Sequence, residues 1–171
     1  MLFRSTGLTS ATQSITPTAG TASQLVLTTS AAGAASGIAF TTQPVVAIRD
    51  GGGNTKTTDN STVVTMTVSA GATVVGTATA TAVNGIATFS TVGISGTAGT
   101  SYTLTYAATG LTSATQSITP TAGTASQLVL TTSAAGAASG VAFTTQPVVA
   151  IRDGGGNTKT TDNSTVVTMT V

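Results

Sequence analysis

The sequence predicts an all-β protein folded as two-layered antiparallel sandwiches, and three observations carry that prediction. Threonine, valine, alanine, serine and glycine make up most of the 171 residues, and only 5% are charged. Branched side chains pack well on a pleated surface and lose freedom in a helix, while the glycines interrupt any long helix. Short stretches alternate apolar and polar residues between turn-forming residues, the period of a half-buried strand. Finally, the chain repeats itself: Gly7–Val68 recurs as Gly110–Val171, 103 residues later, with Ile38 against Val141 the single difference.

A period near 100 residues is too long for solenoid repeats of roughly 20–50 residues and suits a string of complete domains. The near-identity of the copies points to recent duplication. The period divides the chain at the linker Thr16-Pro17-Thr18-Ala19-Gly20. Residues 1–16 are expected to be the last strand of a preceding repeat, 17–119 one complete repeat, and 120–171 the N-terminal half of a following one. The half repeat is expected to expose unpaired strand edges, which invite association.

Within 17–119 the elements follow in order. Gln24–Thr29 offers Leu25 and Leu27 to one face, Val45–Asp50 offers Val46 and Ile48, and Val63–Val68 offers Val64, Met66 and Val68. Thr77–Ala82 alternates threonine with Ala78, Ala80 and Ala82. Asn84-Gly85 is the strongest hairpin signal, because both residues tolerate positive φ. The strand after it points Ala87 and Phe89 inward. Tyr102, Leu104 and Tyr106 share a face of the next strand, and Ser113–Ile118 returns last. About seven strands in 103 residues is the size of an immunoglobulin-like sandwich.

Composition also excludes. There is no histidine, cysteine or tryptophan, and the acids are Asp50, Asp59, Asp153 and Asp162, with no glutamate. A base, a thiol nucleophile and a glutamate for a carboxylate pair are therefore missing, and the many hydroxyls have no candidate activator. A net charge of +1 supplies no basic face for phosphates, so nucleic acid is not an expected partner. No run of about 18 apolar residues spans a membrane. Met1-Leu2-Phe3-Arg4 lacks the apolar stretch of a signal peptide, so any export signal is expected outside this chain.

Three motifs in register resemble bacterial immunoglobulin-like repeats of the invasin- and intimin-like kind. Pro44-Val45-Val46-Ala47-Ile48-Arg49-Asp50 with Gly53-Asn54 is similar to their "V-x-V-x-D-x-x-G-N" stretch. Asn84-Gly85-Ile86-Ala87-Thr88-Phe89 resembles their "N-G-x-A-x-F" hairpin, and Ala98-Gly99-Thr100-Ser101-Tyr102-Thr103-Leu104 resembles their "A-G-x-Y-x-L/V" stretch. The resemblance implies a structural spacer or stalk repeat of a large bacterial cell-surface or secreted adhesin-like protein. Such a repeat is extracellular and not an enzyme, with neighbouring repeats as partners and a host-surface or glycan ligand met through other domains. Two alternatives share the fold: a carbohydrate- or surface-binding module, and an ornament of a phage virion protein. Sugar sites usually present exposed aromatics, and here the aromatics of 17–119 fall on inward positions.

The polar turn Asp50-Gly51-Gly52-Gly53-Asn54, with Asp59 and Asn60 nearby, supplies the calcium candidates Asp50, Asn54, Asp59 and Asn60, since oxygen ligands suit that ion. The competing reading is a flexible loop in which Asp50 and Asn54 cap backbone donors. No other metal and no cofactor is expected. Lys56 beside Asp59 has the residue types of an intramolecular isopeptide crosslink, but lies in a loop-like run without the buried acid that such chemistry needs. Asn60-Ser61-Thr62 matches the N-glycosylation pattern, which in a bacterial protein is read as chance. Tyr102 is either a tyrosine corner or simply a core tyrosine.

Overall fold

The computed structural model describes residues 1–170. It is all-β, its strand pairs all antiparallel, with no helix among the described residues. The strands are β1 (Leu2–Phe3), β2 (Ala11–Thr12), β3 (Ala22–Thr29), β4 (Ile38–Ala39), β5 (Val45–Asp50), β6 (Val63–Val68) and β7 (Ala72–Val75). Then follow β8 (Thr79–Val83), β9 (Ile86–Thr88), β10 (Gly93–Gly96), β11 (Tyr102–Ala107), β12 (Ala114–Ile118), β13 (Ala125–Thr132) and β14 (Val148–Asp153).

The seven strands expected from alternation all form, and they make one sheet in the order β12-β11-β6-β8-β9-β5-β3. This sheet folds over at β8. Its first residues, Thr79–Thr81, pair with β6, whereas Ala82 and Val83 pair with β9 across the Asn84-Gly85 turn. Asn84 and Gly85 both have positive φ, 51° and 76°, as the tight hairpin requires. One strand thus serves two layers, β3-β5-β9 and β12-β11-β6, and the outer edges meet where Leu25 N–H donates to Thr112 O and Thr112 N–H to Ser23 O. The result is an immunoglobulin-like sandwich with its core between the layers.

Three strands were not anticipated: β4, β10 and β7 form a separate sheet in that order. They are short, and glycine begins and ends β10. A Cβ at Gly93 would overlap the backbone of Ile38 and Ala39, and one at Gly96 would press on the Tyr102 ring. Close backbone approach, not apolar alternation, builds this sheet, so its sequence carries little strand signal.

The inward faces are those expected. Leu25, Val46, Ile48, Val64, Met66, Ala80, Ala82, Ala87, Phe89, Tyr102, Leu104, Tyr106 and Ile118 are buried, joined by Phe40, Val92 and Ile94 from the unanticipated sheet and its flanks. Phe89 and Tyr106 meet edge to face with ring centroids 5.8 Å apart. Two glutamines fasten the loops. Gln43 bonds Phe40 O and both backbone groups of Val92, and Gln116 bonds both backbone groups of Ala31.

The duplicated sequence tests how far context decides structure. β13 pairs with β14 in the register of β3 with β5, with irregularities at the same two places. Yet Leu25 is 4% exposed and its twin Leu128 is 56% exposed, and Met66 at 1% has Met169 at 66%. Val63–Val68 forms β6 between β8 and β11, while its twin beginning at Val166 forms no strand among the described residues. A strand needs ladder partners, and among the described residues none pairs with 166–170. At the other end, residues 1–16 contribute a small hairpin in place of the single strand expected. Leu2↔Thr12 and Phe3↔Ala11 reproduce the register of Thr105↔Thr115 and Tyr106↔Ala114.

Candidate functional site

The Asp50 turn is built by its own carboxylate. Asp50 Oδ1 accepts the N–H groups of Gly52 and Asn54, and Oδ2 accepts Gly20 N–H at 2.7 Å and Asn54 Nδ2 at 3.1 Å. The hydrogen bond from Gly20, then those from the Asn54 side chain and backbone, lower the Asp50 pKa to about 2. Lys56 Nζ donates to Ala19 O. The turn therefore clasps the linker that precedes β3, thirty residues earlier in the chain, which the sequence reading of a flexible loop did not anticipate.

Asp59 and Asn60 serve a second turn. Asp59 accepts Ser61 N–H, Thr62 N–H and the Thr62 hydroxyl, while Asn60 Oδ1 accepts Asn84 N–H at the β8–β9 hairpin. Of the four calcium candidates, the structure brings Asp50 and Asn54 together and gives Asp59 and Asn60 other work. The carboxylate oxygens of Asp50 and Asp59 already face donor hydrogens. Among the described residues no three of Asp, Glu, His or Cys come together. Tyr102 makes the corner: its hydroxyl accepts Thr97 N–H at 2.9 Å and donates to Gly71 O.

The second copy of the turn adds what the first lacks. Asp153 accepts Gly123 N–H, Gly155 N–H, Asn157 N–H and Asn157 Nδ2, each within 2.9 Å. Burial alone would raise the Asp153 pKa, but the bonds from Asn157, Gly123 and Gly155 outweigh it and lower it. Lys159 Nζ donates to Ala122 O and Gly123 O. Asn157 then reaches across to the sandwich: its Nδ2 donates to Gly96 O at 3.1 Å, and its Oδ1 accepts Ala98 N–H at 2.9 Å.

The linker 119–123 is held from the sandwich side as well. Thr121 N–H donates to Ala34 O, Ser36 N–H to Thr121 O, and Gly99 N–H to Pro120 O, all within 3.0 Å. Pro120 is fully buried. The Ser36 hydroxyl donates to Gly96 O and accepts Gly96 N–H, fixing the loop that Asn157 reads. A Cβ at Gly123 would overlap Ser36 O, so only glycine fits. Clefts flank this junction, one lined by Thr97, Ala98, Pro120, Asn157 and Lys159. Ser36, Gly96 and Thr121 carry no signal in the sequence, because each acts mainly through backbone groups or a short hydroxyl, and Ala98 is named there only within the motif that leads into β11.

No protein-family profile and no curated protein sequence matches this chain. Among solved structures it is similar to Parabacteroides merdae β-glucuronidase, with a TM-score of 0.45 and 13% identity over 60% of this chain and 13% of that one. A glycosyl hydrolase family 2 member from Bacteroides cellulosilyticus DSM 14838 gives a TM-score of 0.44 and 15% identity over 59% of this chain and 15% of that one. The chain spans only a small part of the length of these enzymes.

Proposed function

We propose that this chain is a structural spacer, a stretch of the stalk of a large bacterial cell-surface or secreted adhesin-like protein, with no catalysis of its own. One observation carries the reading. The linker between the sandwich and the next copy of its sequence is pinned on both sides by backbone bonds, by the Asp153 carboxylate and by Asn157. Linkers between domains are ordinarily flexible and make few contacts. A pinned linker fixes the direction from one domain to the next, which is what a stalk needs for reach; copy number then sets length.

The distribution of aromatics supports a spacer over a sugar-binding module. Phe40, Phe89, Tyr102 and Tyr106 are all buried in the sandwich, leaving no aromatic platform on its surface. The test is the complete reading frame. Further copies at the same period, with an export signal and a surface anchor, are the expected result. A frame of one or two copies beside virion genes or a catalytic domain would overturn the reading.

A further inference from the structure

The junction at 119–123 exists twice in the sequence and once in the structure. Residues 17–56 repeat as 120–159 apart from Ile38 against Val141, and the Asp50 and Asp153 turns hold the same set of donors. The outward sides differ. Asn157 is half-buried, with both side-chain atoms bonded to the sandwich, whereas Asn54 is exposed and its Nδ2 reaches only Asp50. Gly123 is buried against Ser36 O, whereas Gly20 is exposed and a Cβ there would meet nothing nearer than the Asp50 carboxylate, at 3.5 Å.

We propose that the face carrying Gly20, Asn54 and Lys56 is a docking surface for a second copy of the sandwich, which would present the end formed by its 34–36 and 96–99 loops. Asn54 Nδ2 donates to the carbonyl of that copy's Gly96, and Asn54 Oδ1 accepts the N–H of its Ala98. The occupant follows from the chemistry at hand, because the same face at 123–159 already seats on that end. The surface reads shape as well as hydrogen bonds: with a copy seated, the linker glycine has no room for a side chain. The inference rests on the spacer reading only for placing such a copy ahead of residue 17.

The test inserts one more copy of residues 7–109 directly ahead of Gly7, so that the original Asn54 follows a complete sandwich. The inserted copy is segmentally labelled, and its amide exchange is followed by NMR. Asn54→Ala at the original position is expected to speed exchange of the inserted copy's Ala98 amide roughly tenfold, the scale of one lost hydrogen bond. Its Leu104 and Tyr106 amides should keep their rates. Gly20→Ala at the original position should open the same Ala98 amide by steric conflict alone. In the 171-residue chain, where Asn157 holds Ala98, both substitutions should leave that amide unchanged. Unaltered Ala98 exchange in the lengthened chain with both variants would overturn the proposal. A reading frame without an export signal would remove the spacer reading and leave this exchange result standing.

Discussion

Tyr102 and Tyr106 lie on the same face of β11, four residues apart, and the structure predicts opposite consequences of removing their hydroxyls. The Tyr106 hydroxyl is fully buried and has no hydrogen-bond partner among the described residues. Burying a hydroxyl without a partner costs about 1–3 kcal/mol. Burial also raises its pKa, so it stays neutral. Tyr106→Phe removes that cost and leaves a void of about 15 Å³, which at about 24 cal/mol per Å³ gives back only about 0.4 kcal/mol. The variant should gain about 0.5–2.5 kcal/mol. Tyr102→Phe instead strands the Thr97 N–H and frees Gly71 O, and should lose about 1–3 kcal/mol. Urea denaturation of the full chain reads both as shifts in midpoint. A loss of more than about 1 kcal/mol for Tyr106→Phe would show that the hydroxyl is satisfied and that the reasoning about this core is wrong.

The remaining predictions rest on single features. Gly123→Ala should release the linker by displacing Ser36 O, breaking two or three backbone bonds worth about 0.5–1.5 kcal/mol each, while Gly20→Ala in identical local sequence should be neutral or stabilising by up to about 1 kcal/mol; equal effects on amide protection of Gly99 would contradict this. Phe89→Ala should cost about 3–5 kcal/mol, since the ring is buried and stacks edge to face on Tyr106, and a melting point within a few degrees of wild type would refute the core assignment. Asp50 has a folded pKa of about 2 against an ordinary 3.8, so its stabilisation is complete above the ordinary value and is lost as pH falls toward 2. The urea midpoint should therefore drop between about pH 5 and about pH 2.5, and Asp50→Ala should shrink the drop. An unchanged difference between the two pH values in that variant would mean that Asp50 does not carry the acid sensitivity.

Alternation exposed the seven-stranded sheet because its inward residues, such as Val64 and Met66 or Leu104 and Tyr106, recur every second position. It missed the sheet β4-β10-β7, where Gly93 and Gly96 serve by having no side chain. The Asp50 turn reads as a calcium candidate because its polar residues cluster in sequence. Its bond to Gly20 joins residues thirty positions apart, a relation that spacing does not reveal. The difference between Asn54 and Asn157 could not be read from the sequence at all, since their surroundings are the same string of residues. It arises from what lies in front of each loop. The same holds for Leu25 and Leu128, where packing partners and not local sequence decide burial.

A stalk of the proposed kind needs a locked linker, and the amide of Ala98 reports on that lock most directly. Ala98 lies in a turn between β10 and β11, outside any strand, and its N–H is held by Asn157 from beyond the linker. Native-state hydrogen exchange on the unmodified 171-residue chain should find Ala98 and Gly99 protected well above their intrinsic rates, and Asn157→Ala should abolish the protection at Ala98 while strand β11 keeps its own. Exchange of Ala98 at the intrinsic rate in the unmodified chain would mean a free hinge between domains, and the locked spacer would be contradicted.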